Sequence, residues 1–245
     1  MKNYQAPQDL LKNKVILVTG AGQGIGRVAA LTYAAHGATV ILLGRTVDKL
    51  EAVYDEIDAA GYPQAAILPL DLEKATDVDF ESMAQGIKLQ LGQLDGILHN
   101  AARFYNLCPI EIQTLDQWMS LLRVNLAAPF ALTRACLPLL KASPDASVIM
   151  TSETHGHNPA AFWGGYAISK GAAESMVKIW GQEWEITPNL RINTLIPGPV
   201  DSPQRAKSHP GEMKSAMPQP EDLMPTYLYL MGSDSKACNG QTFEC

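Results

Sequence analysis

The chain has 245 residues, 47% of them hydrophobic and 18% charged, which is apolar enough for a sizeable core and excludes global disorder. Nineteen Lys and Arg against 25 Asp and Glu give a formal net charge of -6, a poor footprint for non-specific nucleic-acid binding. No apolar run reaches the roughly 18–20 residues of a membrane helix, and residues 1–14 are polar without an apolar signal core, so neither membrane insertion nor export is indicated and a cytoplasmic location is expected. Cys108, Cys136, Cys238 and Cys245 form no CxxC and no zinc-ligand spacing, so reduced thiols and no metal site are expected.

Short β-branched runs alternate with longer amphipathic stretches. Strands are predicted over 14–19, 39–43, 66–70, 96–99, 147–152, 190–196 and 240–244. Helices are predicted over 26–36, 47–60, 77–91, 165–185 and 220–230, and 115–141 reads as a long apolar stretch interrupted by Pro129 and Pro138. Such βαβ alternation, with strands apolar on both faces, implies a parallel sheet covered on both sides. Right-handed crossovers make the fold doubly wound α/β. Residues 199–219, rich in Pro, Ser and Lys, form the one irregular stretch and are expected to act as a flexible substrate lid.

Between the first strand and first helix lies Thr19-Gly20-Ala21-Gly22-Gln23-Gly24-Ile25-Gly26. Glycines let a backbone approach a ligand closely, and the exposed N–H groups of the helix start favour a pyrophosphate, so this loop predicts a dinucleotide site. The second strand ends at Gly44 and Arg45. An acid at this tip would hold the ribose 2′-hydroxyl of NAD. Arg45 instead suits a 2′-phosphate through paired charge-assisted hydrogen bonds, so NADP is the expected cofactor.

Tyr166 and Lys170 stand four apart, on one face of a predicted helix. A phenol of pKa near 10 is a poor base at neutrality. A cation about 4 Å away is worth roughly 4 kcal/mol at an effective dielectric near 20, or up to about 3 pKa units. Lys170, helped by an oxidised nicotinamide, is therefore expected to bring the Tyr166 pKa toward a range useful for general acid–base catalysis.

Taken with Asp71-Leu72, His99-Asn100-Ala101-Ala102, Asn125 and Pro197-Gly198, these motifs resemble the short-chain dehydrogenase/reductase family, in its compact single-domain division, over almost the whole chain. Residues 8–11, 40–45, 94–101 and 227–232 are most similar to the YciK-like bacterial oxidoreductases. The resemblance implies one NADP-binding Rossmann domain over 1–245, a mainly parallel seven-stranded sheet, and hydride exchange between the nicotinamide and a carbonyl or secondary alcohol. It implies cofactor contacts from Gly20, Gln23, Gly24, Ile25, Gly26 and Arg45. Asp71 and Leu72 would flank the adenine, and Asn100 and Ala101 the adenosine ribose region. Pro197, Gly198 and Val200 would meet the carboxamide end, with Ser202 near the family's usual Thr. Asn125 would position a proton relay, Tyr166 transfer the proton, and Lys170 hold the nicotinamide ribose. A homodimer or homotetramer through 115–141 and 165–185 is implied as well. Phe130, Leu132, Met176, Ile179 and Trp180 are candidates for that interface or for the chain's own core.

One departure bears on chemistry. Counting from Gly156 and Tyr166, the family's substrate-binding Ser falls on Glu153, flanked by Ser152 and Thr154. A carboxylate cannot donate a hydrogen bond, and its charge raises a neighbouring phenol's pKa. Three readings stay open: Glu153 is protonated and donates, Ser152 or Thr154 serves instead, or turnover is weak or lost. The last would make the chain an NADP-binding sensor or interaction protein. Ala102 replaces the usual Gly of the family's Asn-Asn-Ala-Gly, and His99 reads as a strand-end residue satisfied by backbone. His155, His157, Phe162 and Trp163 precede Tyr166 and are candidates to line the substrate pocket.

Overall fold

The computed structural model describes residues 1, 3–213 and 217–245. Seven strands, β1 (Val15–Thr19), β2 (Thr39–Gly44), β3 (Ala66–Pro69), β4 (Gly96–His99), β5 (Ala146–Thr151), β6 (Leu190–Ile196) and β7 (Thr242–Glu244), pair in the order β3-β2-β1-β4-β5-β6-β7. Every pairing is parallel. The helices are α1 (Gly24–Ala35), α2 (Val47–Ala59), α3 (Asp77–Leu91), α4 (Leu115–Leu122), α5 (Ala128–Ala142), α6 (Thr154–His157), α7 (Gly164–Glu183), α8 (Pro203–Ser208) and α9 (Met224–Met231).

Successive strand residues point to opposite faces, and two cores result. Ile16, Val18, Val40 and Leu42 face α1, α2 and α9, where Val28, Leu50, Val53 and Tyr227 are buried. Val15, Leu17, Ile41 and Leu43 face the other way, onto Phe80, Met83 and Ile87 of α3, Leu132 and Leu140 of α5 and Val177 of α7. Continuous burial of β1 explains its lack of polar alternation.

Several of the sequence expectations are modified. The stretch 115–141 is not one helix broken at its prolines. Pro129 sits in the first turn of α5, where a missing N–H costs nothing, and Pro138 is accommodated within α5. The interruption falls instead at Arg123–Ala127, a π turn between α4 and α5 that carries Asn125. Nor is the expected lid structureless: Ser202 caps α8 by accepting from the Arg205 backbone N–H at 3.1 Å. Residues 214–216 of that stretch lie outside the described residues. Among the interface candidates, Leu132 is fully buried in the core and is corrected to an intramolecular role, whereas Phe130 and Ile179 are exposed. Phe130 stacks on Trp180 at 5.8 Å.

At the end of the sheet away from the glycine loop, Asp145 joins distant parts of the chain. One carboxylate oxygen takes Lys14 Nζ at 2.6 Å and the other takes the buried Arg191, whose remaining N–H groups reach the Gly232 carbonyl and Ser235 Oγ. Burial alone would raise the Asp145 carboxyl, but Lys14 and Arg191 outweigh it and hold the group below its ordinary value. Removing one partner of a buried pair leaves an uncompensated charge. Arg191→Met is therefore expected to lower the unfolding free energy by about 3 kcal/mol in urea titration, and Lys14→Met, at a more open position, by about 1 kcal/mol.

His99, at the end of β4, is buried and meets Thr133 Oγ1 of α5 at 2.7 Å, so a side-chain hydroxyl and not backbone satisfies it. Burial, helped by the charge of Lys170, brings its imidazole down to about 3. The unfolded value lies near 6.5, so unfolding takes up a proton as the pH falls below that value. Stability is intact above about pH 6.5 and declines toward pH 3, by up to about 1.4 kcal/mol per pH unit from this group. Urea titrations between about pH 6 and pH 4 are expected to show a shallower decline for His99→Gln than for the wild type.

Candidate functional site

The site forms where the sheet order reverses, β1 leading outward to β2 on one side and β4 on the other, at the carboxyl ends of the strands. Thr19 ties these ends together. Its hydroxyl accepts from the backbone N–H groups of Asn100 and Ala101, at 2.9 and 3.0 Å, and donates to the Leu98 carbonyl. Gly20 follows with φ +68°, and a Cβ there would lie 3.0 Å from Ala101 Cα. At Gly26, in the first turn of α1, a Cβ would lie 2.3 Å from the Gly20 carbonyl oxygen. Glycine at both positions lets α1 aim its N-terminus across the loop at close range.

The resulting groove has a volume of about 380 Å³. It is lined by Gly20, Gln23, Gly24 and Ile25 from the loop, Arg45 from the tip of β2, Asp71 and Leu72 beyond β3, and Asn100 and Ala101 beyond β4. Gly26 lies beneath, out of the lining. Lys49 of α2 belongs to the same wall, with Nζ 2.6 Å from Gln23 Oε1. The sequence reading missed this second cation, which reaches the wall from the first turn of α2.

A smaller cavity of about 80 Å³ continues from the groove and shares Ile25, Asn100, Ala102, Ser202 and Gln204 with it. Its other walls include Thr151, Ser152, Glu153, Trp163, Tyr166, Lys170, Pro197, Gly198 and Val200, with Arg205 and Ser208 of α8. Tyr166 and Lys170 are both buried on α7, with Lys170 Nζ 5.9 Å from the Tyr166 ring centre and donating to the Thr151 carbonyl at 2.8 Å. Phe104 meets the Tyr166 ring edge-on at 5.0 Å, and Trp163 closes another side. Asn125 is buried one layer away. It donates to Ser169 Oγ at 2.9 Å and exchanges hydrogen bonds with the Arg103 backbone, so the π turn is anchored to α7 rather than to Lys170 directly.

The electrostatics of the pair differ from the expectation. Burial pushes the Tyr166 phenol well above its usual range; a hydrogen bond from Gln204 opposes this and the charge of Glu153 adds to it. Burial also draws Lys170 down to about 8, against the stabilising charges of Glu153 and Glu174. Desolvation, which residue spacing does not register, is the largest influence on both groups.

Glu153 caps α6, its carboxylate accepting from the His155 N–H at 2.6 Å and lying 3.1 Å from His155 Nδ1. His155 stacks on Trp163 at 4.0 Å. Ser152 donates to the buried Glu174, which also takes His157 Nδ1 at 2.9 Å. Thr154 is exposed, as are His157 and Phe162, so of the four residues proposed as pocket lining only Trp163 faces the cavity. The group that reaches the Tyr166 hydroxyl is Gln204 of α8, with Nε2 at 2.6 Å. No sequence signal pointed to it, because it lies 38 residues on, in the irregular stretch.

Among the described residues no cluster of His, Cys, Asp or Glu is arranged to hold a metal ion, and no helix is long and apolar enough to cross a membrane.

The family model described as short chain dehydrogenase matches residues 14–213. The uncharacterized oxidoreductase YciK of Escherichia coli (strain K12) is 43% identical over 242 residues, covering 99% of this chain and 95% of that protein. A solved structure of the oxidoreductase yciK from E. coli, 43% identical, superposes with a TM-score of 0.95, covering 99% of this chain and 98% of the other. A chain from Escherichia coli CFT073 complexed with NADPH is 43% identical with a TM-score of 0.94, covering 98% of this chain and 99% of the other. The strand order, the glycine loop beneath α1 and the buried Tyr166–Lys170 pair thus accompany full-length similarity, and the chain belongs to the short chain dehydrogenase family.

Proposed function

We propose that the chain is an NADP-dependent oxidoreductase that interconverts a carbonyl and a secondary alcohol, with Tyr166 as the proton-transferring group. The observation that carries this reading is the burial of Tyr166 and Lys170 at the closed end of a glycine-lined groove. The groove fits a dinucleotide. The N-terminus of α1 and the open backbone at Gly20 and Gly24 would hold the pyrophosphate. Arg45 and Lys49 would hold the 2′-phosphate; the solved relative complexed with NADPH supports this choice of cofactor. Asp71, Leu72, Asn100 and Ala101 would receive the adenosine half. Pro197, Gly198 and Val200, in the smaller cavity, would receive the carboxamide end.

When bound, the nicotinamide supplies or takes up the hydride. The chain's own residues handle the proton and exclude water. Tyr166, walled in by Phe104 and Trp163, keeps its proton at neutral pH, the form that protonates a carbonyl oxygen. Below about pH 8 Lys170 is charged, able to hold a ribose hydroxyl and to stabilise the tyrosinate left after proton transfer. Asn125 keeps the π turn against α7 and positions the relay. Residues 199–219 serve as the substrate lid of a single domain spanning 1–245. A homodimer or homotetramer would bury the exposed Phe130 and Ile179 of α5 and α7.

Glu153 favours a second reading, an NADP-binding protein without turnover, because an acceptor stands at the family's donor position and its charge disfavours loss of the Tyr166 proton. A panel of aldehydes and ketones with NADPH, run on wild type and Glu153→Ser, separates the two. Turnover by the wild type supports the oxidoreductase. Turnover by Glu153→Ser alone supports the silent binder. Tyr166→Phe is expected to lower any turnover by about 10²–10⁴-fold while leaving NADPH binding in place, as measured by fluorescence titration. Arg45→Ala is expected to weaken NADPH binding by about 10–100-fold and leave NADH binding nearly unchanged; equal losses for both would defeat the assignment of Arg45.

A further inference from the structure

The oxidoreductase reading leaves one requirement unmet: a donor that fixes the substrate oxygen beside Tyr166. Glu153 holds the family's position for it but is committed as an acceptor. One carboxylate oxygen takes the His155 backbone N–H, and both lie against the His155 ring. Ser152 spends its only proton on Glu174. Thr154 is exposed and does not line the cavity. The protein nevertheless brings a donor to this point. Gln204 projects from α8 into the space shared by the groove and the smaller cavity, and its Nε2 lies 2.6 Å from Tyr166 Oη.

We propose that Gln204 is a catalytic residue, the hydrogen-bond donor that holds the substrate oxygen beside Tyr166 in the role left open at Glu153. This assignment rests on the oxidoreductase reading. A primary amide carries two N–H donors, so the group that meets Tyr166 is able to hold a second oxygen at the same time. The amide has no proton to give up, so proton transfer stays with Tyr166 and Gln204 contributes alignment and charge stabilisation as the oxygen becomes an alkoxide. The donor also moves from the rigid end of β5 to α8. That helix is seated by the Ser202 cap, by the ion pair of Arg205 with Glu212, and by Pro203 against Gly24 of the cofactor loop. Alignment of the substrate is thereby tied to the seating of the lid.

The test uses the full-length protein with NADPH and a carbonyl compound it reduces. Gln204→Met keeps the length of the side chain and removes the donor. It is expected to lower kcat by about 10²-fold, with KM changed far less. Adding Glu153→Ser to Gln204→Met returns a hydroxyl donor to the end of β5 and is expected to bring the rate back to most of that of Glu153→Ser alone. A residue that merely seats the lid would not be rescued from β5. A second readout needs no turnover: the ring-carbon NMR signal of Tyr166, assigned through Tyr166→Phe in tyrosine-labelled protein, is expected to shift in Gln204→Met. Wild-type kcat in Gln204→Met, failure of rescue in a double variant with a native unfolding midpoint, or an unmoved Tyr166 signal overturns the proposal. Absence of turnover in every form, wild type included, defeats the oxidoreductase reading and the proposal with it; turnover that is indifferent to Gln204 defeats the proposal alone.

Discussion

The closure between β1 and β4 is the constraint on which the site depends. One hydroxyl, that of Thr19, takes two backbone N–H groups from the segment after β4 and so fixes where that segment starts. Gly20 then turns under Ala101, and Gly26 lets α1 rest on the Gly20 carbonyl with no side chain between them. Without that contact α1 would stand off the sheet and its N-terminus would no longer face the groove. The consequences reach further. A Cβ at Gly24 would lie 3.3 Å from Pro203 Cδ of α8, so the lid helix lies over the same loop, and Gln204 reaches Tyr166 from that helix. A strand-end threonine and two bare glycines thus position both the binding surface and the donor above the reacting end.

At that end the balance is set by desolvation. Tyr166 and Lys170 are both buried, and burial disfavours the anion of one and the cation of the other. The two groups move in opposite senses, the phenol up and the ammonium down to about 8. Glu153 and Glu174 offset part of the cost for Lys170, and Glu153 adds to the cost for tyrosinate. The acid at the usual donor position thus adds to burial in disfavouring tyrosinate while it helps Lys170 keep its charge. Its own oxygens are occupied by His155, whose ring stacks on Trp163 in the cavity wall.

Much of this architecture was legible in the residues themselves. Apolar runs alternating with amphipathic stretches foretold seven strands and a parallel sheet, because a strand buried on both faces carries no polar alternation. Glycine spacing located the groove, since few other residues tolerate such approach. The boundary errors were local: β7 is Thr242–Glu244 rather than 240–244, and 115–141 divides at a π turn that periodicity does not reveal. Phe130 and Leu132 show the limit of pattern reading. Both are apolar on one helix, two apart, yet one is exposed and the other lies at the core.

By itself the sequence determined the sheet, the glycine groove and the pairing of Tyr166 with Lys170, because these follow from short spacings and strand or helix periodicity. Only the tertiary structure decided what surrounds them. That Lys49 joins Arg45 on one wall, that Ser152 turns to Glu174, and that Gln204 instead meets the Tyr166 hydroxyl depend on elements distant in sequence arriving at one point. The direction of the Tyr166 and Lys170 shifts was equally beyond the spacing argument. Coulomb attraction scales with a distance that a helix sets locally, whereas desolvation depends on every neighbour the fold assembles around the pair.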